Sequence, residues 1–411
     1  MSDKGELAQR LVTELCDLST IHGSPELLKR LEVLLADFMI CVVSANSLNK
    51  SGSLLKNDGL IGLATRLASQ SAYEDKDDLD WSAINHPGSV VFAASFATAI
   101  AFPDYRKNFL VSTLAGMRAS ASMAHFFGPS HRKRWHITAT AGTFGAVSAT
   151  AAGIGLDSRT AMRAFHLAGT NMGGIGQVSR ELQGTPRFNR AAAAALGTAA
   201  ALGAYEEMPA IANLWEGDRG LIEVFDLAGT ITDGSLIKDG ISTVLVRSFP
   251  ATGFIQAALL GVAEIAREHQ SPLINLSVTV NSGVFPILND PAKERWWNLQ
   301  LNCAAAWASQ DPMQLAPAPA IEPLVTALGG DVPLGCALIT GETKKGRFER
   351  FVEKAPGLEL FDAQERTWRE QKWMSMVGQS SQEITELAHQ LISDTSDEKT
   401  WRRIEHLLRG E

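Results

Sequence analysis

Histidine is the side chain that most readily moves protons near neutral pH, and two of the nine histidines in this chain stand just ahead of helix-forming runs. His136 opens the stretch Trp135-His136-Ile137-Thr138-Ala139-Thr140-Ala141-Gly142-Thr143-Phe144-Gly145, and small residues continue through Ala146, Ala149, Ala151, Ala152 and Gly153. Side chains this small let a helix pack backbone to backbone, so the run reads as the buried centre of a helical domain with His136 at its mouth. There the first backbone amides lack internal acceptors and the helix dipole favours an anion, which suits a carboxylate substrate. The competing reading is a histidine satisfied inside the core. His86 closes the acidic, turn-like stretch from Asp75 to Asn85 and precedes Pro87-Gly88-Ser89 and an apolar helix. The basic cluster His131-Arg132-Lys133-Arg134 is either a solvated turn or an electropositive rim that draws acids toward His136.

Other chemistries find little support. Cys16, Cys41, Cys303 and Cys336 have no paired spacing, so they suggest buried thiols of a reducing compartment rather than zinc or iron–sulfur ligands. His125, His131, His166, His269, His389 and His406 show no metal-site spacing either. Gly173-Gly174-Ile175-Gly176 lacks the third glycine of a dinucleotide fingerprint, a Walker lysine and a preceding strand. A net charge of −8 argues against a general nucleic-acid or anionic-membrane binder. The longest apolar runs, 90–102 and 191–204, are too short to span a bilayer, and the first residues carry no signal-peptide pattern, so the cytoplasm is the expected location.

The elements that must position these residues follow from periodicity. The chain has 411 residues, of which 45% are hydrophobic and 20% charged. That is enough to build more than one substantial core. Helical spacing is present at 7–18, 27–45 and 61–69; 90–102 is a helix stopped by Pro103, and 109–127 one ended by Gly128-Pro129. Asp157 reads as the cap of a helix at 158–168. Residues 169–189 read as loop and 190–205 as an alanine-rich helix. The composition shifts near Thr243. Ile274, Leu276, Val278 and Val280 then alternate with polar residues as in a half-buried strand, 336–340 and 347–352 read as a hairpin, and a helix lies around 296–308.

Five blocks carry a resemblance: His86-Pro87-Gly88-Ser89, the 135–145 run, Ala168-Gly169 followed by Gly184-Thr185, Glu216-Gly217-Asp218-Arg219-Gly220, and Ser248-Phe249-Pro250. In order and approximate spacing they resemble the MmgE/PrpD family, whose members include 2-methylcitrate dehydratase, cis-aconitate decarboxylase and iminodisuccinate epimerase. The resemblance implies a mainly α protein with a smaller α+β domain: a large all-helical domain at 1–245, an α+β lid at 246–364, and C-terminal helices at 365–411 that return to the helical domain. It implies a homodimer; no cofactor is expected, and no metal, because no residue cluster offers three or four ligands at metal spacing. The activity implied is that of a lyase, dehydratase or decarboxylase, on a small polycarboxylate or related hydroxy acid. The alternatives are an isomerase or epimerase that removes and returns one proton, and a catalytically silent ligand-binding member.

By position, His86 and His136 match the family's two histidines and are the expected acid–base residues. Asp75, with Asp77 and Asp78, matches an aspartate-rich turn that orients His86 or raises its pKa. Arg180, Arg187, Arg190 and Arg247 lie in or beside the motif blocks as carboxylate clamps, with surface ion pairs as the alternative. Arg247 and Thr252 stand where members carry a lysine and, in the decarboxylase-like branch, a histidine. The stretch Pro186-Arg187-Phe188-Asn189-Arg190 holds no lysine where members usually have one, and a family tyrosine has no counterpart near 299–303.

Overall fold

The computed structural model describes residues 3–47, 59–178, 185–227, 237–290 and 295–410. The protein is mainly helical with a smaller α+β part. At its centre lie α4 (Pro87–Ala101), α5 (Phe109–Arg132), α6 (Ile137–Gly153) and α8 (Thr185–Tyr205). Every residue of α6 is buried, as is all of α4 except Ala101, which is why both helices are apolar or small all the way round. Glycine sets the distances between them. A Cβ on Gly145 would stand 2.9 Å from Ser120 Cβ and 3.1 Å from the Gly116 carbonyl, and one on Gly197 would meet the Thr143 carbonyl at 2.5 Å. Around this centre pack α1 (Asp3–Leu15), α2 (Pro25–Ser47), α3 (Leu60–Ser71) and α7 (Ser158–Gly169), the last capped by the Asp157 carboxylate accepting from Thr160 N at 2.8 Å.

The expected all-helical character of the larger part needs one correction. Strand β1 (Leu79–Asp80) pairs antiparallel with β2 (Val244–Leu245), so the acidic stretch is stitched to the segment that leads into Arg247. Helix ends also move. The helix from Phe109 breaks at Gly128, where φ is 69° and ψ −171°, as the Gly128-Pro129 pair predicts, but a further turn beyond the break carries α5 on to Arg132. That region is open to glycine, and from it Pro129 starts a further turn. Likewise α8 begins at Thr185 rather than Arg190, which places Arg187 and Arg190 in its first two turns.

The smaller part holds a mixed sheet in the order β4-β3-β5-β6, from β3 (Leu273–Asn281), β4 (Val325–Gly330), β5 (Ala337–Thr343) and β6 (Gly346–Val352). β3 runs parallel to β4 and antiparallel to β5, and helices α9 (Gln256–His269) and α10 (Leu299–Ser309) share its apolar core. The alternation read for β3 holds at Leu276, Val278 and Val280. A register shift between Leu273 and Asn275 changes its phase, leaving Ile274 47% exposed and Leu273 buried. Such irregularities bend a strand locally and re-aim its side chains. The chain then returns through α11 (Ala363–Val377), α12 (Ser380–Ser393) and α13 (Glu398–Arg409), which pack on α2. The return starts one helix earlier than 379. On α11, buried Lys372 donates to Asp37 Oδ1 at 2.7 Å and to the Lys76 carbonyl at 3.3 Å, holding the acidic stretch from behind. All four cysteines are free and buried. Among the described residues no helix is long and apolar enough to cross a membrane.

Candidate active site

His86 is the N-cap of α4 and His136 the N-cap of the neighbouring α6, and both line one cavity of about 300 Å³ between the helical part and the small domain. Local sequence explains the placement. Pro87 at the first helical position lacks the N–H that would otherwise be left unpaired, and its fixed φ starts α4 directly after His86. Gly174 and Gly176 lay a strap across the other helix start. His136 N donates to the Gly174 carbonyl at 2.8 Å, Gly176 N donates to the Arg134 carbonyl at 2.6 Å, and a Cβ on Gly176 would meet Arg134 backbone at 2.8 Å. The glycine cluster that is no dinucleotide fingerprint is therefore a backbone clamp on His136. One hydrogen bond joins the two caps, from His86 N to Thr138 Oγ1 at 3.2 Å.

His86 sits in a network of opposite charges. Arg190 bonds Asp77 Oδ2 and reaches Asp75 Oδ1 at 3.3 Å; Arg247 reaches the same Asp75 oxygen at 3.2 Å and Asp77 Oδ1 at 3.6 Å. Both arginines and Asp77 are almost fully buried, so the carboxylates are matched by guanidiniums rather than by water. The ring is fixed by Asp78, whose carbonyl lies 2.7 Å from His86 Nδ1. A carbonyl has no proton to give, so Nδ1 must carry one and Nε2 is the free lone pair, with no protein hydrogen bond among the described residues. Arg247 Nη2, 3.2 Å from Nδ1, therefore contributes its positive charge there and not a hydrogen bond. Burial first, then Arg190 and Arg247, hold the His86 pKa well below its ordinary value. Asp75 pulls the other way, as expected, but is outweighed, so the expectation of a raised pKa is corrected. Beside it, burial and the neighbouring Asp77 push the Asp78 carboxyl up to about 8 while its Oδ2 accepts from Gly88 N at 2.8 Å.

His136 has a sparser environment. Asn189, on the first turn of α8, donates its amide to His136 Nδ1 at 3.4 Å, which puts the ring proton on Nε2. Burial, with Arg190 adding to it, lowers its pKa to about 3. The next two residues, Ile137 and Thr138, line the cavity, and their backbone N–H groups have no acceptor among the described residues. Arg132 and Lys133 line it as well, and among the described residues Arg132 donates only to the Ala83 carbonyl, at 3.2 Å. The basic cluster is thus divided: His131 is buried against Thr140, Arg132 and Lys133 face the cavity, and Arg134 pairs outside with Asp226 at 3.2 Å. Two cavity-side residues, Asp75 and Ile84, hold positive φ values of 52° and 54°. For a β-branched residue such as Ile84 this is real strain.

The structure therefore brings Asp75, His86, His136, Arg190 and Arg247 into one neighbourhood, with Arg247 behind His86. Arg187 stacks over Tyr73 at 5.5 Å, and Thr252 is buried with its N–H on the Trp296 carbonyl at 3.1 Å; neither lines the cavity. Arg180 lies outside the described residues. Sequence reasoning named Asp77 only as one of three aspartates, and Asn189 not at all; no local signal singles out either, because their partners are far away in the chain. Asp75, Asp77 and His86 also bring one potential ligand atom each within 4.8 Å of one another, a grouping that spacing does not reveal. Two guanidiniums already engage those carboxylates, so a metal ion there would have to displace them.

Fold and site together define a mainly helical protein with an anion-directed, two-histidine cavity under a small mixed α+β unit. Residues 64–231 match the family model of the MmgE/PrpD N-terminal domain, which supports membership of the MmgE/PrpD family. The matched span includes both histidines, the three aspartates and Arg190, whereas Arg247 and the α+β part lie beyond it. The match suggests an enzyme of the dehydratase or lyase type. No curated protein matches the chain.

Proposed function

We propose that the chain is a cofactor-independent lyase for a small carboxylic acid, with His86 as base and His136 as proton donor. The observation that carries this reading is the pair of neutral histidines in one cavity with opposite ring protons: His86 offers a lone pair at Nε2 and His136 an N–H there. The substrate carboxylate would lie at the Ile137 and Thr138 amides, with Arg132 beside it, where the dipole of α6 also favours negative charge. His86 Nε2 then takes a proton from the carbon next to a carboxylate, and the Asp78 carbonyl holds the resulting imidazolium through Nδ1–H. His136, charged once the anionic substrate is bound, gives its Nε2 proton to a departing hydroxyl, which leaves as water, and returns to a neutral ring. An anionic substrate favours the charged form of both rings, so binding moves their pKa values back toward the range in which they exchange protons. The ion-pair network of Asp75, Asp77, Arg190 and Arg247 keeps His86 in register without adding net charge.

The test is incubation with a panel of citrate-like, aconitate-like and amino-dicarboxylate acids in deuterated water, followed by NMR. A new olefin or a lost carboxylate is the expected result. Exchange with inversion and no elimination assigns an epimerase instead, and neither change across the panel contradicts acid–base catalysis on such acids. Turnover of 2-methylcitrate and cis-aconitate should be poor. Arg247, engaged with Asp75 and Asp77, cannot replace a lysine proton donor at neutral pH, and buried Thr252 cannot replace a histidine. Rates on either acid comparable with ordinary family members would contradict this, as would Arg247→Lys with Thr252→His leaving those rates unimproved. Activity should also survive EDTA, since guanidiniums hold the site carboxylates; loss restored by added zinc or manganese would overturn that. The homodimer implied by the family is checked by light scattering at micromolar concentration.

A further inference from the structure

The cavity divides its chemistry between two walls. Every charged or titratable side chain described in its lining comes from the helical part: Asp75, His86, Arg132, Lys133, His136 and Arg190. The small domain supplies Phe254, Val284, Pro286, Ile287 and Trp297 with the backbone of Gly283, and among the described residues no charged side chain. This apolar wall is built rather than incidental. The Phe254 ring is held between Trp81, 5.7 Å away, and Trp297, 6.1 Å away. The turn bearing Val284 and Ile287 is fixed by Gly283 N donating to Asn281 Oδ1 at 2.9 Å and Val284 N to the Asn281 carbonyl at 3.2 Å.

A compact tricarboxylate fits such a cavity badly. Turned to place one carboxylate at the α6 amides, it would press another against the aromatic wall, where among the described residues no cationic side chain meets it, and a buried carboxylate without a countercharge is strongly disfavoured. Among the described residues the cations are few as well. Arg190 is committed to Asp75 and Asp77, which leaves Arg132 and Lys133 beside the two open amides, enough for one or two carboxylates. We propose that the substrate carries one or two carboxylates at one end and an apolar arm at the other, lying on Phe254, Val284, Ile287 and Trp297. This rests on the reading of the cavity as the acid-binding site. The cavity volume is about 300 Å³. That is at the small end for ligand sites and limits the arm to a short chain or a single ring.

The experiment is calorimetric titration of the full chain with succinate, its 2-methyl, 2-propyl and 2-butyl derivatives, and tricarballylate. Affinity should rise by about fourfold per added methylene until the arm is accommodated. Butylsuccinate should bind more tightly than tricarballylate. In the double variant Val284→Ser with Ile287→Ser, the dependence on arm length should flatten while succinate stays within about twofold. Succinate binding with affinities flat or falling along the series overturns the arm but leaves the acid site standing. Tighter binding of tricarballylate than of butylsuccinate, or a series unchanged by the double variant, also overturns it. Absence of binding by every acid to the folded protein overturns both the arm and the site reading.

Discussion

His86 and His136 occupy the same kind of position, the N-cap of a buried helix, only one hydrogen bond apart through Thr138, yet their surroundings differ sharply. Around His86 two carboxylates and two guanidiniums close a nearly balanced network, and a backbone carbonyl holds Nδ1. Around His136 a single amide, from Asn189, touches Nδ1. Both rings are neutral at ordinary pH, since burial is the first cause of each lowered pKa. What differs is the atom left to act: an acceptor lone pair in one, a donor N–H in the other. A shared backbone position thus presents an acceptor at one ring and a donor at the other, and the neighbour at Nδ1 decides which.

The largest effects should come from the rings themselves. His86→Ala and His136→Ala should each lower turnover by about two to four powers of ten with the fold kept, by activity assay and circular dichroism. They should fail differently: His86→Ala loses deuterium exchange at the substrate carbon along with elimination, while His136→Ala keeps measurable exchange. Equal loss of exchange in both would erase the division of roles. Next comes the network on the His86 side. Asp77→Asn leaves Arg190 without its closest buried partner. It should destabilise the chain by about 3–5 kcal/mol in urea unfolding. A cost under about 1 kcal/mol, the range of an exposed pair, would show that the pair is not a structural part of the site.

Smaller effects follow from linkage. His136 has a folded pKa of about 3 against an ordinary 6.5. As pH falls below 6.5 the unfolded chain therefore takes the proton first, and stability declines toward pH 3. His136→Gln should remove a slope of up to about 1.4 kcal/mol per pH unit from unfolding curves in that window. Asp78 acts in the opposite sense. Raised from 3.8 to about 8, it contributes stability below pH 3.8 that is lost as pH rises toward 8, and Asp78→Asn should remove that loss. Unfolding curves with unchanged pH dependence in both variants would mean that neither group is held as described. The smallest change should be Asn189→Ala, a cost of about 0.5–1.5 kcal/mol in the catalytic step, because only one neutral hydrogen bond is removed.

The two histidines also mark the boundary between what local sequence encodes and what it does not. The helix starts after His86 and His136 were legible because Pro87 and the run of small residues are local signals. Five family blocks pointed to the fold. The ion-pair network was not legible, since Arg190 and Arg247 reach partners 113 and 172 residues away, and no periodicity encodes such distances. Local exceptions hid the rest. Beyond the kink at Gly128 a further helical turn runs from Pro129, a register shift in β3 exposes Ile274, and α8 starts inside a stretch whose proline and polar residues resemble a loop. Arg132 and Lys133 come to the cavity only because of that continued turn of α5.

The division of roles depends most on the two ring protons, and these can be observed directly. With histidine labelled by nitrogen-15 and assigned through His86→Gln and His136→Gln, long-range nitrogen–proton spectra at pH 7 report which nitrogen of each ring carries hydrogen. Two neutral rings are expected, His86 protonated at Nδ1 and His136 at Nε2. The same tautomer in both, or an imidazolium at either position in the free protein, would contradict this assignment.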